Sequence, residues 1–162
     1  VALRVAVVGG GIGGLCLAQG LRRDGVDVTV YERDEAIDSR GQGYRIHLDG
    51  RAGRALHECL APELYELFTA TLGLPGSTLS VVDERLKVLH SMAGTARDPR
   101  QAEPTAISAP ASRQTLREVL ATDLDDALAF GRQCTGFAES PDGVRLDFAD
   151  GTHAGADALV AA

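Results

Sequence analysis

An α/β fold built on a parallel central sheet is what this 162-residue sequence predicts, and three observations carry the prediction. A short apolar run, Val5-Ala6-Val7-Val8, passes into Gly9-Gly10-Gly11-Ile12-Gly13-Gly14, and a second run, Val28-Thr29-Val30-Tyr31, ends on Glu32. Near the other end, residues 134 to 140, 144 to 148 and 152 to 156 read as short strands. Pro141-Asp142-Gly143 and Asp150-Gly151 join them, which gives a three-stranded antiparallel meander. The closing stretch, Asp157 to Ala162, is again continuously apolar, as strands covered on both faces are.

Taken in order, residues 3 to 8 form the first strand, apolar on both faces. A helix follows from about Ile12 to Asp24, with Gly25 placed to end it in a left-handed conformation. The second strand spans 27 to 31, and residues 34 to 43 read as loop. Tyr44 to Leu48 alternates, with Arg45 and His47 on one face and Tyr44, Ile46 and Leu48 on the other. Asp49 is placed to cap a helix carrying Ala52, Leu56 and Leu60. Pro62 opens another, with Leu64, Leu67, Phe68 and Leu72 on one stripe and Gly73 closing it. Residues 78 to 90 predict two strands around Asp83-Glu84-Arg85, and 93 to 104 lack periodicity and read as loop. Ser112 then caps a helix bearing Leu116, Val119, Leu120 and Leu124.

The glycine cluster satisfies the spacing G-x-G-x-x-G at Gly9, Gly11 and Gly14. Each glycine answers a different steric demand. Gly9 permits the sharp turn out of the strand, Gly11 lets a pyrophosphate approach the backbone, and Gly14 lets the helix lie close to the sheet. N–H groups around Ile12 and Gly13, at the positive end of the helix dipole, bind the phosphates without any lysine. An acid, Glu32, follows at roughly the twenty-residue interval of dinucleotide sites. Its carboxylate accepts both hydroxyls of an adenosine ribose and repels a 2′-phosphate, which disfavours NADP at this position. The spacing fits NAD and FAD alike.

Composition narrows the partners. A hydrophobic content of 44% with 24% charged residues is that of a globular protein, and a formal charge of −7 argues against nucleic-acid or anionic-membrane binding. No apolar run is long enough to cross a bilayer. Cys16, Cys59 and Cys134 are widely spaced and, with four scattered histidines, match no metal-ligand pattern, so they read as buried thiols of a cytoplasmic protein.

Beyond the glycine motif, Gly14-x-x-x-Ala18, Leu21 and Gly25 extend the close-packing face, and Glu32-Arg33 leads to a glycine-bearing loop and the strand Tyr44-Arg45-Ile46-His47-Leu48. With Ser112-Arg113-Gln114-Thr115-Leu116, the meander through Val144-Arg145-Leu146-Asp147-Phe148 and the final Ala158-Leu159-Val160-Ala161-Ala162, this pattern resembles the class A flavoprotein monooxygenases. These include aromatic hydroxylases and tetracycline-inactivating enzymes, and the resemblance spans essentially the whole chain.

The resemblance implies a Rossmann-like FAD-binding fold with a parallel central sheet, the meander and part of a substrate-domain sheet. Residues 1–74 and 108–162 would form the FAD-binding part and 75–107 an edge of the substrate domain, within an enzyme that continues beyond Ala162. It implies cofactor contacts from Gly9, Gly11, Ile12, Gly13 and Gly14. Glu32 would bind the adenosine ribose, Arg33 would lie near the adenine or phosphate, and Arg113 would reach FAD from its helix start. Arg45 would face the isoalloxazine, while Arg40 and His47 are further candidates without an assigned role. The implied reaction is NAD(P)H-dependent hydroxylation of an aromatic or polyketide-like small molecule by O₂ through a flavin C4a-hydroperoxide. Catalytic residues are not identified and no metal is implied. Another FAD oxidoreductase of the same architecture (a halogenase, reductase or oxidase), a dinucleotide-binding module without chemistry and an NAD-dependent dehydrogenase are the alternatives.

Overall fold

The computed structural model describes residues 3–39, 44–74, 76–94, 98 and 101–162. Four strands make the parallel sheet: β1 (Arg4–Val8), β2 (Asp27–Tyr31), β7 (Leu128–Ala129) and β11 (Ala158–Ala161), in the order β11-β1-β2-β7. Val5 pairs with both Val28 and Ala158, so β1 lies between two apolar neighbours. Its alternation feeds two cores. Val5 and Val7 join Val28 and Val30 beneath the helices, while Ala6 and Val8 face the opposite layer.

The helical layer comprises α1 (Ile12–Arg23), α2 (Gly50–Cys59), α3 (Pro62–Ala70) and α4 (Arg113–Ala121). Helix α1 ends as the sequence implies, with Gly25 at φ 76° immediately after Asp24. Asp49 caps α2 by accepting from the N–H groups of Arg51 and Ala52, and the Ser112 hydroxyl accepts from Thr115 N–H at the start of α4. Leu15, Leu56, Phe68, Leu116 and Leu120 supply the buried face. Between α1 and α4, the Gln19 side chain donates to the carbonyls of Leu120 and Thr122, at 3.0 and 2.8 Å. A buried amide thus satisfies carbonyls at the end of α4, where a helix has no internal donors.

The opposite face carries the meander: β8 (Cys134–Ser140), β9 (Gly143–Phe148) and β10 (His153–Ala156), all antiparallel. Val144, Leu146 and Phe148 point from β9 toward Ala6 and Ala156, and the Tyr31 and Phe148 rings lie 4.8 Å apart. Two smaller pairs complete the described structure: β3 (Arg45–Leu48) with β6 (Ala109–Ser112), and the hairpin β4 (Thr78–Val82) with β5 (Val88–Ala93). Asp83 closes the hairpin by accepting from the N–H groups of Arg85 and Lys87.

Several local expectations differ from the fold. Helix α3 stops at Ala70, before Gly73, whose N–H instead donates to Pro110 O at 2.8 Å; a Cβ at Gly73 would sit 3.0 Å from the Pro110 ring. Leu67 is exposed, whereas Phe68 on α3 and Leu72 just beyond its end are buried. Leu124 is buried but lies beyond the end of α4. Strands β6 and β7 fall outside the strands read from sequence: β6 contains Pro110, although its buried Ala109 and Ala111 alternate with half-buried neighbours, and β7 has two residues. The thiols of Cys16, Cys59 and Cys134 are free and half-buried rather than buried. Burial, reinforced by the neighbouring Cys59, pushes the Cys16 thiol up to about 12, so it stays protonated.

The layers lead to two expectations. Leu146 is fully buried while Phe137, on the next strand, is 59% exposed. Leu146→Ala is expected to lose about 2–5 kcal/mol in denaturant unfolding, and Phe137→Ala to stay within about 0.5 kcal/mol of the parent. The second concerns Asp157, which ties the turn before β11 to β1 through Arg4: its carboxylate accepts from Arg4 N–H and from the guanidinium, both at 2.8 Å. The Arg4 side-chain hydrogen bond holds the Asp157 carboxyl below the ordinary 3.8. A depressed folded-state value means a contribution present above the unfolded value and lost as pH falls through the folded one. NMR titration of Asp157 is expected to give a midpoint below 3.8 that returns upward in Arg4→Gln.

Candidate functional site

The site forms where the chain leaves β1. Gly9 takes φ 117°, and its N–H donates to Tyr31 O at 2.9 Å, which pins the turn to the end of β2. A Cβ at Gly9 would overlap the Ala162 carbonyl oxygen, and one at Gly14 would overlap Gly9 O and meet Val7 Cγ1 at 3.2 Å. These two glycines therefore allow backbone approaches that no other residue permits. Gly11 and Gly13 differ: a Cβ there would meet nothing within 4 Å, so both border open space. The first bond of α1 runs from Leu15 N–H to Gly11 O, at 3.0 Å. The N–H groups ahead of it have no partner within the helix.

Beneath this turn lies a buried charged network. The Glu32 carboxylate accepts from Gly10 N–H at 2.7 Å and from Asp34 N–H at 2.9 Å, one bond to each oxygen. Arg117, from α4, donates through Nε to Gly10 O at 2.8 Å and through a terminal nitrogen to Ile37 O at 3.0 Å. Its other terminal nitrogen lies 3.6 Å from Glu32 and 3.8 Å from Asp34. Glu32 and Arg117 are only 8% and 7% exposed, so each is a charge removed from water that needs these partners. A carboxylate offers roughly four acceptor positions, so each Glu32 oxygen keeps a further acceptor position beyond its bond to backbone.

Above the network opens a cleft of about 370 Å³ whose walls include Gly9, Gly11, Glu32, Arg33, Arg113 and Arg132. Arg132 belongs to the segment joining β7 to the meander; its N–H donates to Glu32 O at 2.8 Å, and its guanidinium stacks 4.2 Å from the Phe148 ring centre. An ion pair to Asp150 at 2.6 Å steadies it from the other side. Arg33, Arg113, Arg117 and Arg132 thus converge on one opening of a protein whose net charge is −7. Glu32 and Asp34 line the same cleft and Asp150 pairs with Arg132, so the four arginines leave a small positive balance there, which favours an anionic ligand.

Of the residues singled out from sequence, Gly9, Gly11, Glu32, Arg33 and Arg113 border the cleft. Gly14 is buried at the helix–strand contact, Gly13 is exposed, and the Ile12 side chain packs against the core, which leaves only its backbone for a ligand. Arg45 is exposed on β3, opposite Ser112 in register, and is not among the residues lining the cleft. His47 lies 3.1 Å from the Ser108 hydroxyl, and Arg40 falls outside the described residues. Sequence reasoning missed Arg117 and Arg132. Arg117 had one signal, its place one turn after Arg113 on a helix and beside the apolar stripe of Leu116 and Leu120. Arg132 had none.

The geometry is that of a Rossmann-like α/β unit, and known proteins of similar sequence share it. The model of the NAD(P)-binding Rossmann-like domain matches residues 7–66. A dual O-methyltransferase/FAD-dependent monooxygenase of Cercospora beticola is 31% identical over 157 residues, covering 92% of this chain and 17% of that protein. The 3-amino-4-hydroxybenzoate 2-monooxygenase of Streptomyces cremeus is 33% identical over 170 aligned positions, covering 99% of this chain and 39% of that protein. Among solved structures, the HpxO protein of Klebsiella pneumoniae complexed with FAD and uric acid superposes with a TM-score of 0.74 at 26% identity, over 97% of this chain and 38% of that one. By sequence and fold the chain is similar to part of these FAD-dependent monooxygenases, and it spans about two fifths or less of the length of these relatives.

The glycines separate folding from binding. Gly14→Ala is expected to cost about 1–3 kcal/mol of stability through overpacking against Gly9 and Val7. Gly13→Ala, with open space around it, is expected to be neutral or to stabilise by up to about 1 kcal/mol. Urea unfolding of the two variants checks both.

Proposed function

We propose that this chain holds FAD, with the ADP half in the cleft above Glu32, as the cofactor-binding part of a monooxygenase. The carrying observation is the coincidence at one opening of the Gly9–Gly14 turn, a carboxylate with acceptor capacity remaining, and four arginines. The residues fit the group. Gly11 and Gly13 leave room where a diphosphate would meet the backbone, and the first-turn N–H groups of α1 would donate to it. Glu32 would accept from the adenosine ribose hydroxyls, with Arg33 and Arg132 at the adenine end and Arg113 toward the diphosphate. Arg45, in register with Ser112 beside Arg113, would face the isoalloxazine end.

FAD, when bound, supplies the redox and oxygen-transfer chemistry; the chain's part is to bind it, orient it and exclude water around it. In this reading NAD(P)H is the electron donor, O₂ the oxygen source and a small aromatic or polyketide-like molecule the acceptor, in a cytoplasmic enzyme. The names of relatives that act on aminohydroxybenzoate or urate support that substrate class. Residues 1–74 and 108–162 form the FAD-binding part in the same reading. The β4–β5 hairpin within 75–107, with Leu79, Val88 and Leu89 exposed, is the edge of a substrate-domain sheet. No helix among the described residues is long and apolar enough to cross a membrane.

Denaturing the purified protein is expected to release a chromophore with a flavin spectrum. Glu32→Ala is expected to weaken FAD binding by about tenfold or more, since a hydrogen bond to a charged group contributes about 1.5–3 kcal/mol. A colourless protein that takes up NAD and not FAD in titration would overturn the reading.

A further inference from the structure

We propose that Arg117 is a positioning residue for the phosphate-binding turn, holding the peptide after Gly10 so that the Gly11 N–H faces the cleft. Gly10 is gripped at both of its backbone polar groups by buried charge: its N–H by Glu32 at 2.7 Å, its C=O by Arg117 Nε at 2.8 Å. A trans peptide is planar, with its C=O and N–H pointing in opposite directions. Drawing the Gly10 carbonyl inward to Arg117 therefore turns the Gly11 N–H outward. Gly11 lines the cleft, and the open space at its Cβ position leaves room for a ligand oxygen there.

Glycine makes this restraint necessary. The run Gly9-Gly10-Gly11 has no side chain to limit its backbone, so an ungripped turn samples many peptide orientations. Preorganised donors bind an anion more tightly than donors that must be ordered on binding. Arg117 is suited to hold the turn because it is fixed elsewhere: Ile37 O takes a second donor at 3.0 Å, and Glu32 and Asp34 lie 3.6 and 3.8 Å from its remaining nitrogen. A lysine in its place offers one point charge and cannot reach Gly10 O and Ile37 O in the same fork. Glu32 and Arg117 thereby act on one residue from two elements, β2 and α4, and are energetically coupled.

The proposal rests on the reading of the cleft as the site of the ADP half of FAD, and the test separates the two. Affinities for FAD and for ADP are measured in the protein, in Arg117→Met, Arg117→Lys, Glu32→Gln and the double variant Glu32→Gln/Arg117→Met, with urea unfolding alongside. Arg117→Met is expected to weaken FAD and ADP by similar factors of about tenfold, and Arg117→Lys to recover part of that loss. The double variant is expected to lose less than the product of the single losses, because both act through Gly10. Losses that simply multiply, or an Arg117→Met protein that unfolds more easily yet binds FAD and ADP as the parent does, would overturn the positioning role and leave the FAD reading standing. If Arg117→Met does not fold, Arg117→Lys and its pair with Glu32→Gln carry the same comparison. A parent protein that binds neither ligand removes both claims together.

Discussion

The peptides flanking Gly10 are the point on which the rest of the structure converges. Glu32 reaches them from the end of β2, and Arg117 reaches them from α4, more than a hundred positions later in the chain. Each side chain is a buried charge, costly to desolvate unless paired and hydrogen-bonded. That cost makes the arrangement specific: the fold places Glu32 and Arg117 where backbone groups of the glycine turn and the neighbouring loop satisfy them. Loop, strand end and helix are thereby held in one geometry.

The same convergence explains why the site stands at this edge of the sheet. Parallel strands end together, and β1, β2 and β11 deliver Gly9, Glu32 and Ala162 to one opening. Close backbone approach, at Gly9 beside Ala162 and at Gly14 beside Gly9, brings the α1 N-terminus over that edge. The meander contributes from below. Phe148, packed on Tyr31, supports the guanidinium of Arg132, so the second core serves both stability and the shape of the cleft. In such a site the donors are largely backbone, held by packing, and the arginines add long-range attraction.

Much of this was legible in the sequence because it is local. A buried strand, a glycine turn, a helix closed by Gly25 and a second strand ending in an acid are dictated by neighbouring residues. So are the caps Asp49 and Ser112 and the meander turns. What could not be read is what depends on distant pairing. Strand β6 contains a proline and has its partner in β3; β7 is two residues long and exists only because β2 offers an edge. Gly73 has the look of a helix end but serves the contact with Pro110, and Leu67 falls on the exposed side of its stripe. Within the site, Glu32 is visible from its spacing, whereas Arg117 and Arg132 acquire meaning only when tertiary structure carries them to Gly10 and Phe148.

In the proposed reading the glycine turn and the Glu32 edge receive the ADP half of a dinucleotide, and amide-resolved NMR during titration with ADP is the decisive test. The largest shifts are expected on the N–H groups of Gly11, Ile12 and Gly13, with a second set at Arg33 and at Arg132–Gln133. Shifts concentrated instead around Arg51 and Arg54, at the start of α2, with the glycine turn unmoved, would contradict it.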